Sequence, residues 1–189
     1  MNAFTEVPPI FALEGAKERV LLTEEETMDL ERRLLAALES LPPGGLLPLD
    51  LTSVRLSSES ARQLLRRAIR RIAGGELNDR FLVLQHLHRG RYSVEAMLRL
   101  EGLTVVERVA QGHPAALLGK VDPVMKETYD FLARTGQATA RDLVEEFKLN
   151  TVSAATNRLT NLSGMGLARR VAQEGLPGGG VQYRFAPVR

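Results

Sequence analysis

Apolar residues recur at helical spacing along much of this chain. Met28, Leu30, Leu34, Leu35, Leu38 and Leu41 form one such stripe and predict an amphipathic helix. Thr23 with Glu26 opens it as a capping box, and Pro42-Pro43-Gly44-Gly45 closes it. A second stripe joins Ala61, Leu64, Leu65, Ala68, Ile69 and Ile72 over residues 58–72. Arg62, Arg66, Arg67, Arg70 and Arg71 gather on the opposite side of that helix. Short apolar runs at 46–51 and 81–84 predict strands buried on both faces, with Pro48 placing the first at an edge or bulge. Residues 10–13 and 19–22 predict an edge hairpin, 93–100 a short helix and 103–110 an alternating strand. Strands alternating with helices in this way predict an α/β domain with a mixed sheet over residues 1–120.

The pattern changes after Lys120. Asp122-Pro123 is an N-cap followed by proline at the first helical position, and Val124, Met125, Tyr129, Phe131 and Leu132 supply the apolar side of the helix. Thr139 and Asp142 make a second capping box, with Leu143, Val144 and Phe147 turned inward. Lys148-Leu149-Asn150 makes a turn, and a helix follows over residues 151–163. Val152, Ala155, Leu159 and Leu162 define its buried side. Thr151 opens it, Ser153, Ala154, Asn157, Thr160 and Asn161 point outward, and Arg158 sits at the margin. Residues 167–172 and 181–185 read as two strands joined by the glycine-rich turn 174–180.

Charge sharpens the contrast between the two halves. Residues 1–120 balance sixteen basic against sixteen acidic side chains. Residues 147–189 carry Lys148, Arg158, Arg169, Arg170, Arg184 and Arg189 against the single acid Glu174, which suits a polyanionic partner. The outer face of the 151–163 helix holds hydroxyls, amides and one arginine, with no carboxylate. Small residues let such a helix sit deep in a groove, and asparagine can bond adenine in bidentate fashion. A merely solvated helix more often carries mixed charges.

Two resemblances follow from these residues. The segment LDLTSVRLSSESARQLL at 49–65, with FLVLQHL at 81–87 and ALLGKV at 116–121, resembles the STAS-like domain family over residues 8–120. That likeness implies a sensing or partner-docking unit. It also brings Ser57, Ser58 and Ser60 nearest to the serine that acts as a phosphorylation switch in the wider group, although Ser57 or Ser58 reads first as a helix cap. Residues 122–188, and NRLTNLSGMGLARR at 157–170 above all, resemble the winged helix-turn-helix domain of bacterial transcription regulators. This implies a small α+β domain over 121–189 that binds double-stranded DNA, with the second helix in the major groove and the β-wing on the backbone. The turn at 174–180 has no basic residue, so backbone contacts fall to Arg169, Arg170 and Arg184 on its strands.

Other chemistry finds little footing. The chain has no cysteine, which excludes disulfides and cysteine-based zinc sites. No carboxylate at ligand spacing completes the pair His86 and His88, so neither a metal nor a cofactor is expected. No nucleophile elbow or phosphate-cradling glycine loop occurs, and no enzymatic activity is expected. No run reaches the length of a membrane helix, and no secretory signal is visible at residues 1–11. The expectation is a cytoplasmic, homodimeric regulator reading DNA through Thr151, Ser153, Ala154, Asn157, Arg158, Asn161, Arg169, Arg170 and Arg184. Its amino-terminal domain would carry a protein partner, and the stripe Arg62, Arg66, Arg67, Arg70 and Arg71 would form a second basic surface. The alternative is a winged-helix adaptor in a signalling or defence complex with no DNA contact.

Overall fold

The computed structural model describes residues 19–20, 24–51, 54–55, 59–87, 90–108, 115–175 and 180–189. Within them the chain forms a mixed α/β fold with six helices, a four-stranded mixed sheet and a small antiparallel sheet. In chain order the first part runs β1 (Arg19–Val20), α1 (Glu24–Ser40), β2 (Gly45–Asp50), β3 (Val54–Arg55), α2 (Glu59–Ala73), β4 (Arg80–Gln85), α3 (Arg91–Glu101), β5 (Thr104–Arg108) and β6 (Ala116–Gly119). The second part runs α4 (Pro123–Thr135), β7 (Ala138–Thr139), α5 (Ala140–Phe147), α6 (Val152–Gly164), β8 (Ala168–Gly175) and β9 (Val181–Pro187).

The larger sheet has the order β2-β4-β5-β6, with the first three strands parallel and β6 antiparallel to β5. Among the described strands β2 lies at the edge of this sheet, which accommodates the missing N–H of Pro48. Side chains of a strand alternate between faces, and β4 uses both. Leu82 and Leu84 enter a core with Leu34 and Leu38 of α1, Leu65 and Ile69 of α2, and Leu98 of α3. Phe81 and Val83 face the other way. With Val106 of β5 they join a second core that holds Tyr129, Leu132, Leu143, Leu159 and Leu162 from the carboxy-terminal helices. Helices α1–α3 therefore cover one face of the sheet, and the segment after residue 120 covers the other.

Local chemistry sets the carboxy-terminal elements. Asp122 caps α4 by accepting from the Val124 N–H at 2.8 Å. Thr139 and Asp142 form the reciprocal capping box of α5, and Lys148 ends that helix in the left-handed conformation. Thr151 caps α6. β7, β9 and β8 then make the antiparallel sheet, β9 lying in the middle.

The buried Tyr129 hydroxyl donates to the Val188 carbonyl at 2.7 Å, tying α4 to the end of the chain. Burial raises the Tyr129 pKa above its ordinary value, against a smaller opposing effect of Arg189. A phenol with a raised folded-state pKa stabilises fully below its unfolded value of about 10 and loses that contribution as the pH climbs beyond it. Tyr129→Phe is expected to cost about 1 kcal/mol at neutral pH and to blunt the alkaline loss of stability. Denaturant titrations at about pH 8 and about pH 11 measure both effects; identical alkaline sensitivity in the two proteins would refute the assignment.

Several expectations are corrected. Met28 is 56% exposed rather than part of the α1 stripe, because it points away from the helix face that buries Thr27, Leu30 and Leu34. Val124, in the first turn of α4, is exposed. β1 pairs in parallel with β3, a strand the pattern did not predict; the expected hairpin partner at 10–13 lies outside the described residues. Residues 10–13, Thr23, Ser57 and Ser58 lie outside the described residues.

Candidate nucleic-acid interface

Helix α6 presents the face that its sequence predicts. Ala155, Leu159 and Leu162 are buried, while Ser153, Ala154, Asn157, Thr160 and Asn161 are exposed. Thr151 is exposed as well, but its Oγ1 accepts from the Ala154 N–H at 3.2 Å, so it serves first as the cap that fixes the start of the helix. Arg158 is half-buried, its guanidinium 5.4 Å from the Phe147 ring centroid. A guanidinium held over an aromatic face keeps its charge but loses rotamer freedom. Thr156 is exposed too, and its hydroxyl donates to the Val152 carbonyl at 3.0 Å.

Val152 departs from expectation. It is 49% exposed and, with Arg141, Thr156, Arg170 and Tyr183, lines a cavity of about 240 Å³ between α6 and β9. Val181 and Tyr183 are exposed beside it. Period alone places Val152 on the buried side, yet the first turn of α6 reaches beyond the core.

The three arginines of β8 and β9 have different surroundings. Arg170 is exposed and lies across Tyr183 and Phe185, 4.8 and 5.9 Å from their centroids. The ladder between β8 and β9 shifts register between Arg170 and Ala172, and such a bulge re-aims the side chain beside it. Arg169 is half-buried, and burial, with a smaller contribution from Arg189, holds its pKa below the ordinary arginine value. Arg184 is engaged by the cross-strand Glu174, with Nε and Nη2 donating to the same carboxylate oxygen at 2.9 and 2.7 Å. Of the three, Arg170 alone combines exposure, an aromatic support and no ion pair among the described residues.

The α2 arginines are not an uncompensated surface. Arg66 and Arg70 meet Glu101 at the end of α3, Arg67 meets Glu31 of α1 at 2.8 Å, and Arg71 bridges Glu39 and Glu76 at 3.0 and 2.9 Å. These hydrogen bonds raise the Arg71 pKa, that to Glu76 most. Arg62 is half-buried. The stripe thus works as an ion-pair seam joining α1, α2 and α3, which corrects the expected second basic surface. No acid at i+4 spacing balances it because the acids come from α1, from α3 and from the turn after α2.

No family model, no curated protein and no solved structure matches this chain. The site is read from its own chemistry.

Elsewhere, His86 Nδ1 lies 2.9 Å from Asp50 Oδ1, so a carboxylate from the end of β2 does reach the histidine at the end of β4. His88 lies outside the described residues. Among the described residues no cluster of three or more metal-binding side chains occurs. None of their helices is long and apolar enough to cross a membrane. The exposed, carboxylate-free face of α6, flanked by Arg170, remains the strongest candidate for recognition.

Proposed function

We propose that the chain is a DNA-binding transcription regulator. In this reading α4, α5 and α6 with the β7-β9-β8 sheet form a winged helix, and the strands and helices before residue 120 form a STAS-like unit that senses or docks a partner. One observation carries the proposal: α6 exposes Ser153, Ala154, Asn157 and Asn161 without any carboxylate, and an exposed arginine stands beside it on a bulge. Amide and hydroxyl groups on an uncluttered helix face suit base edges, and Arg170 suits a phosphate. Arg158, braced on Phe147, would follow the groove wall. Arg169 and Arg184 become minor contributors, since one is half-buried and the other is tied to Glu174. A homodimer in the cytoplasm is the working assembly, because one short helix reads few base pairs.

Selection of bound sites from random duplex DNA tests this reading. A recovered motif is expected, and Asn157→Ala should relax it at one position by about 1–3 kcal/mol while leaving the others intact. Failure to enrich any duplex, with the protein folded, would sink the proposal.

A second reading draws on a separate observation. Val152, Val181 and Tyr183, respectively 49%, 50% and 40% exposed, surround one cleft on this same side. An exposed apolar grouping of that kind fits a protein-docking adaptor, which would retain a partner polypeptide and ignore duplex DNA.

A further inference from the structure

A cavity of about 460 Å³ opens between the turn that joins α2 to β4 and the carboxy-terminal end of α6. Its volume is within the range of small-molecule sites. One wall is the turn itself, with Gly74, Gly75, Asn78, Asp79 and Arg80; the other carries Thr160, Ser163, Gly164 and Arg170. The two parts of the chain thus face each other across it.

The lining has the chemistry of an anion site. Arg80 and Arg170 contribute cations from opposite walls, and Asp79 is the one carboxylate among the described lining residues. Arg80 Nη1 donates to the Asn78 carbonyl at 2.8 Å, which anchors the side chain. Glycine keeps the turn wall open: a Cβ on Gly75, already at φ +80°, would sit 3.3 Å from Asn78 Oδ1. The hydroxyls of Thr160 and Ser163 and the Asn78 amide can donate as well. Two guanidinium groups with several neutral donors match a tetrahedral, multi-acceptor anion better than a planar carboxylate on an apolar platform.

We propose that this cleft is an effector site for a phosphorylated small molecule of about nucleotide size, its phosphate held between Arg80 and Arg170. Resting on the DNA reading, the site is also inhibitory, because Arg170 cannot serve the ligand and the duplex backbone at once. Such coupling is reciprocal: what weakens DNA binding is itself weakened by DNA.

The test is calorimetric titration of the full chain with AMP, pyrophosphate and inorganic phosphate, in the absence of DNA. AMP is expected to bind, and Arg80→Gln to weaken it about ten-fold or more. Gly164→Phe is the independent variant. A Cβ at Gly164 meets nothing within 4 Å, so the ring can occupy the cleft mouth without disturbing the helix, and AMP binding should be lost. Binding of none of the three anions by folded protein overturns the site. So does AMP binding that ignores both variants. If Arg80→Gln instead lowers duplex affinity while no probe binds, the cations serve backbone phosphate and the small-molecule assignment is wrong. Saturating AMP should weaken duplex binding about ten-fold; unchanged affinity overturns the coupling. Should the chain bind no duplex at all, the DNA reading fails and the AMP titration still decides the site.

Discussion

Raising salt from about 50 to about 200 mM is expected to weaken duplex binding roughly 150-fold for each protomer engaged, and Arg170→Ala to reduce that loss to roughly forty-fold. The argument is counterion release. If Arg158 and Arg170, with the exposed Arg141 and Lys148, each neutralise one phosphate, each protomer adds about −3.6 to the slope of log affinity against log salt, and removing one contact makes that about −2.7. Arg170 is the chosen position because its guanidinium is exposed and braced over Tyr183 at 4.8 Å. Arg169→Ala and Arg184→Ala should change the slope far less. Arg169 is half-buried, which limits its access to a phosphate, and Glu174 already occupies Arg184. Fluorescence anisotropy on a labelled random duplex across the salt series gives all four slopes. If Arg184→Ala flattens the line as much as Arg170→Ala, the ranking drawn from burial and pairing is wrong.

Gly119→Ala is expected to destabilise the protein by at least about 3 kcal/mol. Gly119 sits at φ +111°, and a Cβ there would lie 2.1 Å from the Leu103 carbonyl oxygen and 3.0 Å from Leu98 Cβ. Both obstacles are held in place: Leu103 O accepts from the Lys120 N–H at 3.0 Å, and Leu98 is fully buried. No side-chain rotation relieves a contact with backbone, so β6 must shift against β5. Leu118 belongs to the core under the helices and Leu117 packs against the core shared with the carboxy-terminal segment. The loss should therefore appear as one cooperative transition. Far-UV circular dichroism follows the helices, and near-UV signals weighted by the buried Tyr129 follow the second core, undisturbed by tryptophan, which the chain lacks. Two separated transitions would contradict a jointly held sheet.

Much of this was legible in the residues. The capping box Thr139–Asp142, the Asp122-Pro123 start and the exposed amides of α6 follow from short-range chemistry, and each lies where its spacing placed it. Pro48 correctly marked an edge. What escaped depends on partners distant in sequence. Arg67 pairs with Glu31 and Arg66 with Glu101, and no periodicity within α2 foretells either. β3 and β7 are each two residues long, too short to show alternation. The exposure of Val152 reflects where α6 leaves its core, which a helical wheel does not encode. The fates of Arg169, Arg170 and Arg184 were indistinguishable because all three were simply cations on predicted strands; burial, a bulge and Glu174 separate them.

The continuous sheet face formed by Phe81, Val83 and Val106 has a practical consequence for handling this protein. Cutting the chain at residue 120 would strip Leu132, Leu143 and Leu159 from that face and leave aromatic and branched side chains bare. Each half would carry a sticky wound where its companion had been. The carboxy-terminal part is thus not a cartridge to be grafted elsewhere. If the proposed function holds, a change in the amino-terminal part has a short route to α6 through the core that the two halves share.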